Sequence, residues 1–248
     1  MLLGMLCMAQ AKDRIVERPP FLAQNSSSIE IDKIVMSDTV TTVYIKAFYR
    51  PKYWIKIATG SVLKDNNGIL YPIRKGIGIT LDKEFWMPES GEAEFQLTFP
   101  PIPQNVTRLD FSEGDFEGAY KIWGIQLDKK SFGKFKLPKD VIVPKADHKM
   151  TLPDPIVKYD KAILKGRILD YQKGMPDKGS LYYQDVIREG AQEGKIRIQD
   201  DGTFYHEMNV FMITPCTIMF PFGTIEYLLA PGETTSIVIN LQIGRAHV

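Results

Sequence analysis

The sequence predicts an all-β protein: two β-sandwich, Ig-like domains in tandem, with few helices. Three observations predict it. Helical periodicity is nearly absent along the chain. Short segments alternate apolar and polar residues and are rich in β-branched and aromatic side chains. Turn-forming Gly, Pro, Asn and Asp recur between those segments.

The strands follow in chain order. Ile29-Glu30-Ile31 opens the series. Thr42-Val43-Tyr44-Ile45-Lys46-Ala47-Phe48-Tyr49 is the next, and Tyr53-Trp54-Ile55-Lys56-Ile57 follows Arg50-Pro51. Lys64-Asp65-Asn66-Asn67-Gly68 reads as a hairpin turn, because Asn and Gly tolerate positive φ. Phe95, Leu97 and Phe99 alternate with Glu94, Gln96 and Thr98, which gives one buried and one wet face. Tyr120–Leu127 closes a first sandwich over residues 12–128. Residues 129–155 are dominated by Lys134, Lys136, Pro138, Lys139, Pro144, Lys145, Pro153 and Pro155, the composition of an extended linker. A second, smaller sandwich is expected over residues 156–241. Its strands run through Ala162–Leu169, Leu181–Tyr183 and Lys195–Ile198, then through a turn-and-strand signal at Gln199–Phe204. Further strand-like runs are at 216–220, 224–229 and 235–241.

The two ends read differently from the rest. Residues 1–11 are an apolar run closed by Ala9-Gln10-Ala11, the small-x-small pattern of signal-peptide cleavage, with the basic n-region missing. Export is therefore expected. The run is too short for a permanent transmembrane anchor. Cys7 follows Leu6 rather than a small residue, which argues against lipid attachment there. Residues 243–248, Ile-Gly-Arg-Ala-His-Val, match the in-frame translation of a common sequencing adapter and are set aside as a non-native tail. The sequence is accordingly expected to be a fragment of an exported protein.

Charge and cysteine content exclude several classes. A net charge of +1 gives no global field for nucleic acid or an anionic surface. Beyond the leader, Cys216 is the one cysteine, so no intrachain disulfide is expected. Its apolar surroundings read as those of a buried, inert thiol. His148, His206 and His247 show no metal-ligand spacing, and no phosphate loop, nucleophile elbow or CxxC is present. No cofactor or metal is expected. Glu84, Glu89, Glu92 and Glu94 surround Phe85-Trp86-Met87-Pro88 and offer paired carboxylates of the kind used in glycoside cleavage, although a solvated loop explains them better. Asp200 and Asp201 lack the rest of a calcium loop and read as a hairpin turn. Asn25-Ser26-Ser27 and Asn105-Val106-Thr107 fit the glycosylation sequon. The candidate partner-binding residues are Tyr49, Tyr53, Trp54, Phe85 and Trp86, aromatics suited either to stacking on a ligand or to packing a core.

Several stretches carry a family resemblance as a set: Ile15–Phe21, Ala47–Pro51, Tyr53–Ile55, Leu81–Gly91, Lys121–Ile125 and Pro231–Thr235. Together they resemble the N-terminal region of multidomain TlpA-like thiol-disulfide oxidoreductases of the Gram-negative envelope. The resemblance implies a periplasmic or envelope location and a thioredoxin domain with a CxxC beyond Leu241, acting on disulfides. It implies that the β-domains themselves are non-catalytic and position that domain or an envelope protein. No catalytic residue carries over, because the redox cysteines are not in this chain. Two other functions compete with it: a free-standing envelope module that binds glycan or protein through the aromatic cluster, and a hydrolase using Glu84–Glu94.

Overall fold

Thr41–Phe48 alternates inward and outward residues along its whole length, and this period of two governs most of the chain. The computed structural model describes residues 13–128, 139, 157–184 and 190–241. The expected leader, the rest of the expected linker and the tail at 243–248 lie outside the described residues. The chain divides into two compact units, Met1–Gly133 and Lys134–Val248. No α-helix occurs among the described residues, so the protein is all-β.

Among its described residues the first unit holds twelve strands: β1 (Arg14–Glu17), β2 (Ala23–Gln24), β3 (Ile29–Met36), β4 (Thr41–Phe48), β5 (Trp54–Ile55), β6 (Val62–Asp65), β7 (Leu70–Pro72), β8 (Lys75–Ile77), β9 (Phe85–Trp86), β10 (Glu92–Phe99), β11 (Arg108–Ser112) and β12 (Lys121–Gln126). Two five-stranded sheets, ordered β1-β3-β4-β10-β8 and β2-β12-β11-β6-β7, form a sandwich, and β5 and β9 make a separate two-stranded ribbon. Ile34, Val43, Ile45, Leu97 and Phe99 of one sheet share a core with Leu63, Leu109, Phe111, Ile122 and Ile125 of the other. Burying one such side chain contributes about 1.5–3 kcal/mol.

Two bulges interrupt the alternation. In β3 the register slips between Ile31 and Lys33, leaving Asp32 as the extra residue. Ile31 and Ile34 both stay in the core, although their spacing is out of phase for a regular strand. In β12, Trp123 and Gly124 oppose Asp110 between the Leu109–Ile125 and Phe111–Ile122 pairs. Gly124 has φ 66°, and its N–H donates to the Asp110 carboxylate at 2.7 Å. A Cβ there would sit 2.6 Å from Leu22.

The expected turn at 64–68 is the β6–β7 hairpin. Buried Asp65 organises it, accepting from the Asn67 N–H at 2.8 Å, the Ile69 N–H at 2.9 Å and the Tyr71 hydroxyl at 3.1 Å. Burial acts to raise the Asp65 pKa, but these donors outweigh it and hold the carboxyl below its ordinary value. Thr98, expected on the wet face, is buried instead. The cause is β8, which pairs alongside it and whose Lys75 carbonyl accepts from the Thr98 hydroxyl at 3.3 Å.

The second unit contains β13 (Asp160–Leu169), β14 (Lys178–Gln184), β15 (Ala191–Arg197), β16 (Thr203–Val210), β17 (Thr214–Phe220), β18 (Gly223–Leu229) and β19 (Thr234–Asn240). A three-stranded sheet, β16-β13-β19, packs on a four-stranded one, β15-β14-β17-β18. Leu164, Ile168 and Phe204 meet Leu181, Ile196, Ile218 and Phe220 in its core. The first and last strands of this unit, β13 and β19, pair in parallel from Ile163–Thr234 to Leu169–Asn240. A parallel pair needs a long crossover, and here five intervening strands supply it.

Gly124→Ala should destabilise the first unit by about 1–3 kcal/mol, through the positive φ and the contact with Leu22. Urea unfolding measures this, and an unchanged midpoint would contradict the role assigned to Gly124.

Candidate functional site

Two segments leave the main sandwich and run beside each other before returning to it. One follows β4 through Tyr49, Arg50, Pro51 and Lys52 into β5; the other leads from β9 through Met87–Gly91 into β10. They stay bonded along their length: Tyr49 N–H donates to Gly91 O at 2.9 Å, Lys52 N–H to Met87 O at 3.2 Å, and Met87 N–H to Tyr53 O at 2.8 Å. The ladder of β4 and β10 thus turns a corner and resumes as β5 and β9. Gly91 permits the corner. Its φ is 71°, and a Cβ there would lie 2.7 Å from the Tyr49 carbonyl. Beyond the ribbon, Asp82 N–H donates to Ile57 O at 2.8 Å, and the Asp82 carboxylate accepts from the Thr59 hydroxyl at 2.6 Å. Buried Glu113 accepts from the amides of Ala58 at 2.8 Å and Tyr120 at 2.9 Å, and burial raises its pKa despite those donors.

The ribbon sorts its four residues by the pleat. Trp54 pairs with Trp86, and Ile55 with Phe85. Directly opposed residues share a face, and neighbours along a strand take opposite faces. Ile55 is 2% exposed and belongs to the core, where half-buried Phe85 packs 6.2 Å from the Phe95 ring. Trp54 is 44% exposed and Trp86 60%. Buried Met87 anchors the return strand. Tyr49 and Tyr53 are exposed beside the ribbon and meet edge-on, with ring centroids 6.3 Å apart. The Arg50 guanidinium lies 5.7 Å from the Tyr53 ring. Lys52 and Glu89 pair at 3.0 Å in full solvent, so this neighbourhood carries little net charge.

Of the five aromatic candidates, the structure therefore brings Tyr49, Tyr53, Trp54 and Trp86 to the surface and turns Phe85 inward. The outward residues of β4 were not singled out from the sequence: Tyr44, Lys46 and Phe48 stand on one face of the sandwich. Lys46 reaches Asp32 at 2.9 Å and Glu94 at 3.9 Å, and its bond to Asp32 raises its pKa. Lys33 lies 4.3 Å over the Tyr44 ring. Strict alternation through 41–48 was the signal that groups these side chains.

The other candidates resolve as follows. Glu84, Glu89, Glu92 and Glu94 are all exposed, whereas a carboxyl kept protonated for acid catalysis needs shelter from water. Asp201 accepts from the amide and hydroxyl of Thr203 and so organises a turn. Among the described residues no cluster has the makings of a metal site. Half-buried His206 is held below its ordinary pKa by burial, while His148 and His247 lie outside the described residues. The Asn25 amide donates to Ala119 O at 2.7 Å and accepts from the Lys121 N–H at 2.8 Å, so it holds β2 to β12. Cys216 is buried, its thiol donates to Thr214 O at 3.5 Å, and burial pushes its pKa up to about 11. No helix among the described residues is long and apolar enough to cross a membrane.

No family model matches the chain, and no curated protein matches it. Four solved chains match, and each is a pullulanase. The enzyme from Anoxybacillus sp. LM18-11 complexed with maltotriose shares 10% identity at a TM-score of 0.28, over 76% of this chain and 24% of that one. Pullulanase type I from Bacillus subtilis str. 168 complexed with maltose shares 7% at 0.27, over 76% and 23%. The pullulanase from Bacillus acidopullulyticus shares 10% at 0.22, over 84% and 34%. The chain spans about a quarter of the length of the first two enzymes. At these scores the likeness assigns no function. The expectation of a TlpA-like thiol-disulfide oxidoreductase is not borne out: the solved chains that match are pullulanases, and no thioredoxin-family protein is among the matches. The quoted stretches explain themselves structurally. Tyr53–Ile55 and Leu81–Gly91 are the two arms of the ribbon, and Lys121–Ile125 holds the β12 bulge.

Cys216 should react with a thiol reagent at pH 8 about 100-fold more slowly in the native protein than in urea, since only the thiolate attacks. Equal rates would contradict the buried, protonated thiol.

Proposed function

We propose that this protein is a binding module of the cell envelope whose first unit holds a neutral glycan against the aromatic face of the β5–β9 ribbon. One observation carries the reading: two indoles, Trp54 and Trp86, stand directly opposite each other in solvent, held there by Ile55 and Phe85 on the reverse face. Large exposed aromatics cost hydration, and a contiguous group of them marks an interaction surface. Indole and phenol rings offer flat apolar faces with a polar edge, which suits sugar rings that have an apolar face and a rim of hydroxyls. The neighbouring Lys52–Glu89 pair leaves no strong field, in keeping with an uncharged ligand. Export, read from Ala9-Gln10-Ala11, belongs to this proposal, because such a ligand would be met outside the cytoplasm. Arg50 beside Tyr53 favours a second reading, an envelope protein docked on the same face, since Trp, Tyr and Arg dominate protein interfaces.

Trp54→Ala and Trp86→Ala should each weaken glycan binding by about 2 kcal/mol, roughly 30-fold, without changing the unfolding midpoint. Affinity electrophoresis in gels containing neutral polysaccharides provides the measurement. Migration of the wild type unaffected by every polysaccharide would overturn the glycan reading, and retention of an envelope protein lost in both variants would favour the second.

A further inference from the structure

We propose that the outward face of β4 is a groove for an extended, uncharged oligosaccharide chain, continuing the site at Trp54 and Trp86 along the sandwich. This inference rests on the binding reading above and adds a second set of contacts to it. Tyr44, Lys46 and Phe48 are alternate residues of β4 and share its outer face. At about 3.4 Å per residue, the two aromatic positions stand about 14 Å apart. A depression of about 550 Å³ lies between Phe48, Lys46, Ser90 and Glu92. A second, of about 300 Å³, lies between Tyr44, Lys46, Ile77 and Gln96. Both are also lined by Glu94, so they adjoin across the Lys46–Glu94 pair. The β3 bulge turns Asp32 outward to bond Lys46, which fixes an ion pair between two aromatic ends. Four carboxylates, Glu30, Asp32, Glu92 and Glu94, share this face with the ammoniums of Lys33 and Lys46, so a polyanion gains nothing here. Rings at the ends and hydrogen-bonding groups between them suit a neutral chain rather than a single sugar. Phe48 adjoins Tyr49, and through it the corner that leads to Trp54.

Calorimetric titration of the full chain with maltohexaose, cellohexaose and xylohexaose, and with the three corresponding disaccharides, tests this. One hexasaccharide should bind at least tenfold more tightly than its disaccharide. Tyr44→Ala combined with Phe48→Ala should bring the two affinities to within about twofold while leaving the disaccharide value unchanged. Lys46→Ala should cut the same advantage independently. All three side chains point outward, and thermal unfolding reports whether the variants remain folded. Trp54→Ala should weaken both ligands. A hexasaccharide affinity untouched by the β4 substitutions would overturn the groove and leave the Trp54–Trp86 site standing. Absence of any sugar binding by the wild type would overturn both.

Discussion

The exposed aromatic face of the first unit depends on one cross-strand arrangement, the pairing of Trp54 with Trp86 and of Ile55 with Phe85. A two-stranded ribbon of this length has almost no stability of its own. Ile55 supplies the stability by burial in the main core, and Phe85 adds its contact with Phe95. The pleat then leaves the indoles no choice of direction. Core packing on one face and aromatic exposure on the other are a single structural fact. The cost of keeping two indoles in water is met by the burial of the residues beside them.

The same logic extends into the sheet below. Gly91 turns the corner that joins the ribbon to β4 and β10, so the two ladders form a continuous run of backbone bonds. The bulge at Asp32 adds one residue to β3 and places a carboxylate beside Lys46 without losing an isoleucine from the core. A local departure from regular pairing thus supplies Asp32 to the outer face, while regular pairing supplies Tyr44, Lys46 and Phe48. In the second unit the parallel pair joins first and last strands, and Cys216, its one thiol, is locked in the interior.

Much of the fold was legible in the sequence because alternation is a local signal. The runs at 42–49, 95–99 and 162–169 each fall in a strand, with Phe95, Leu97 and Phe99 buried as expected. What alternation does not encode is which strand lies next to which. The parallel β13–β19 pair depends on contacts about seventy residues apart in sequence. Burial of Thr98 depends on β8 covering an edge. Tyr53–Ile57 looked like a full strand, yet only Trp54 and Ile55 pair, because the register slips beyond Ile55 and the Ile57 carbonyl accepts from the Asp82 N–H. For the site, residue type marked the five aromatics, but only pairing separated the inward Phe85 from the outward four. The resemblance to an oxidoreductase rested on sequence flavour in segments whose structural roles are a ribbon and a bulge, and it carried no chemistry to test.

The most direct test uses the three indole N–H groups as separate reporters. Trp54 and Trp86 lie on the proposed face, and Trp123 is buried in β12. In ¹⁵N-resolved spectra, titration with the neutral oligosaccharide that the protein retains should shift the Trp54 and Trp86 indole signals together, along one binding curve, while Trp123 stays fixed. Binding that leaves both exposed indoles unmoved would contradict the claim that this ribbon is the site.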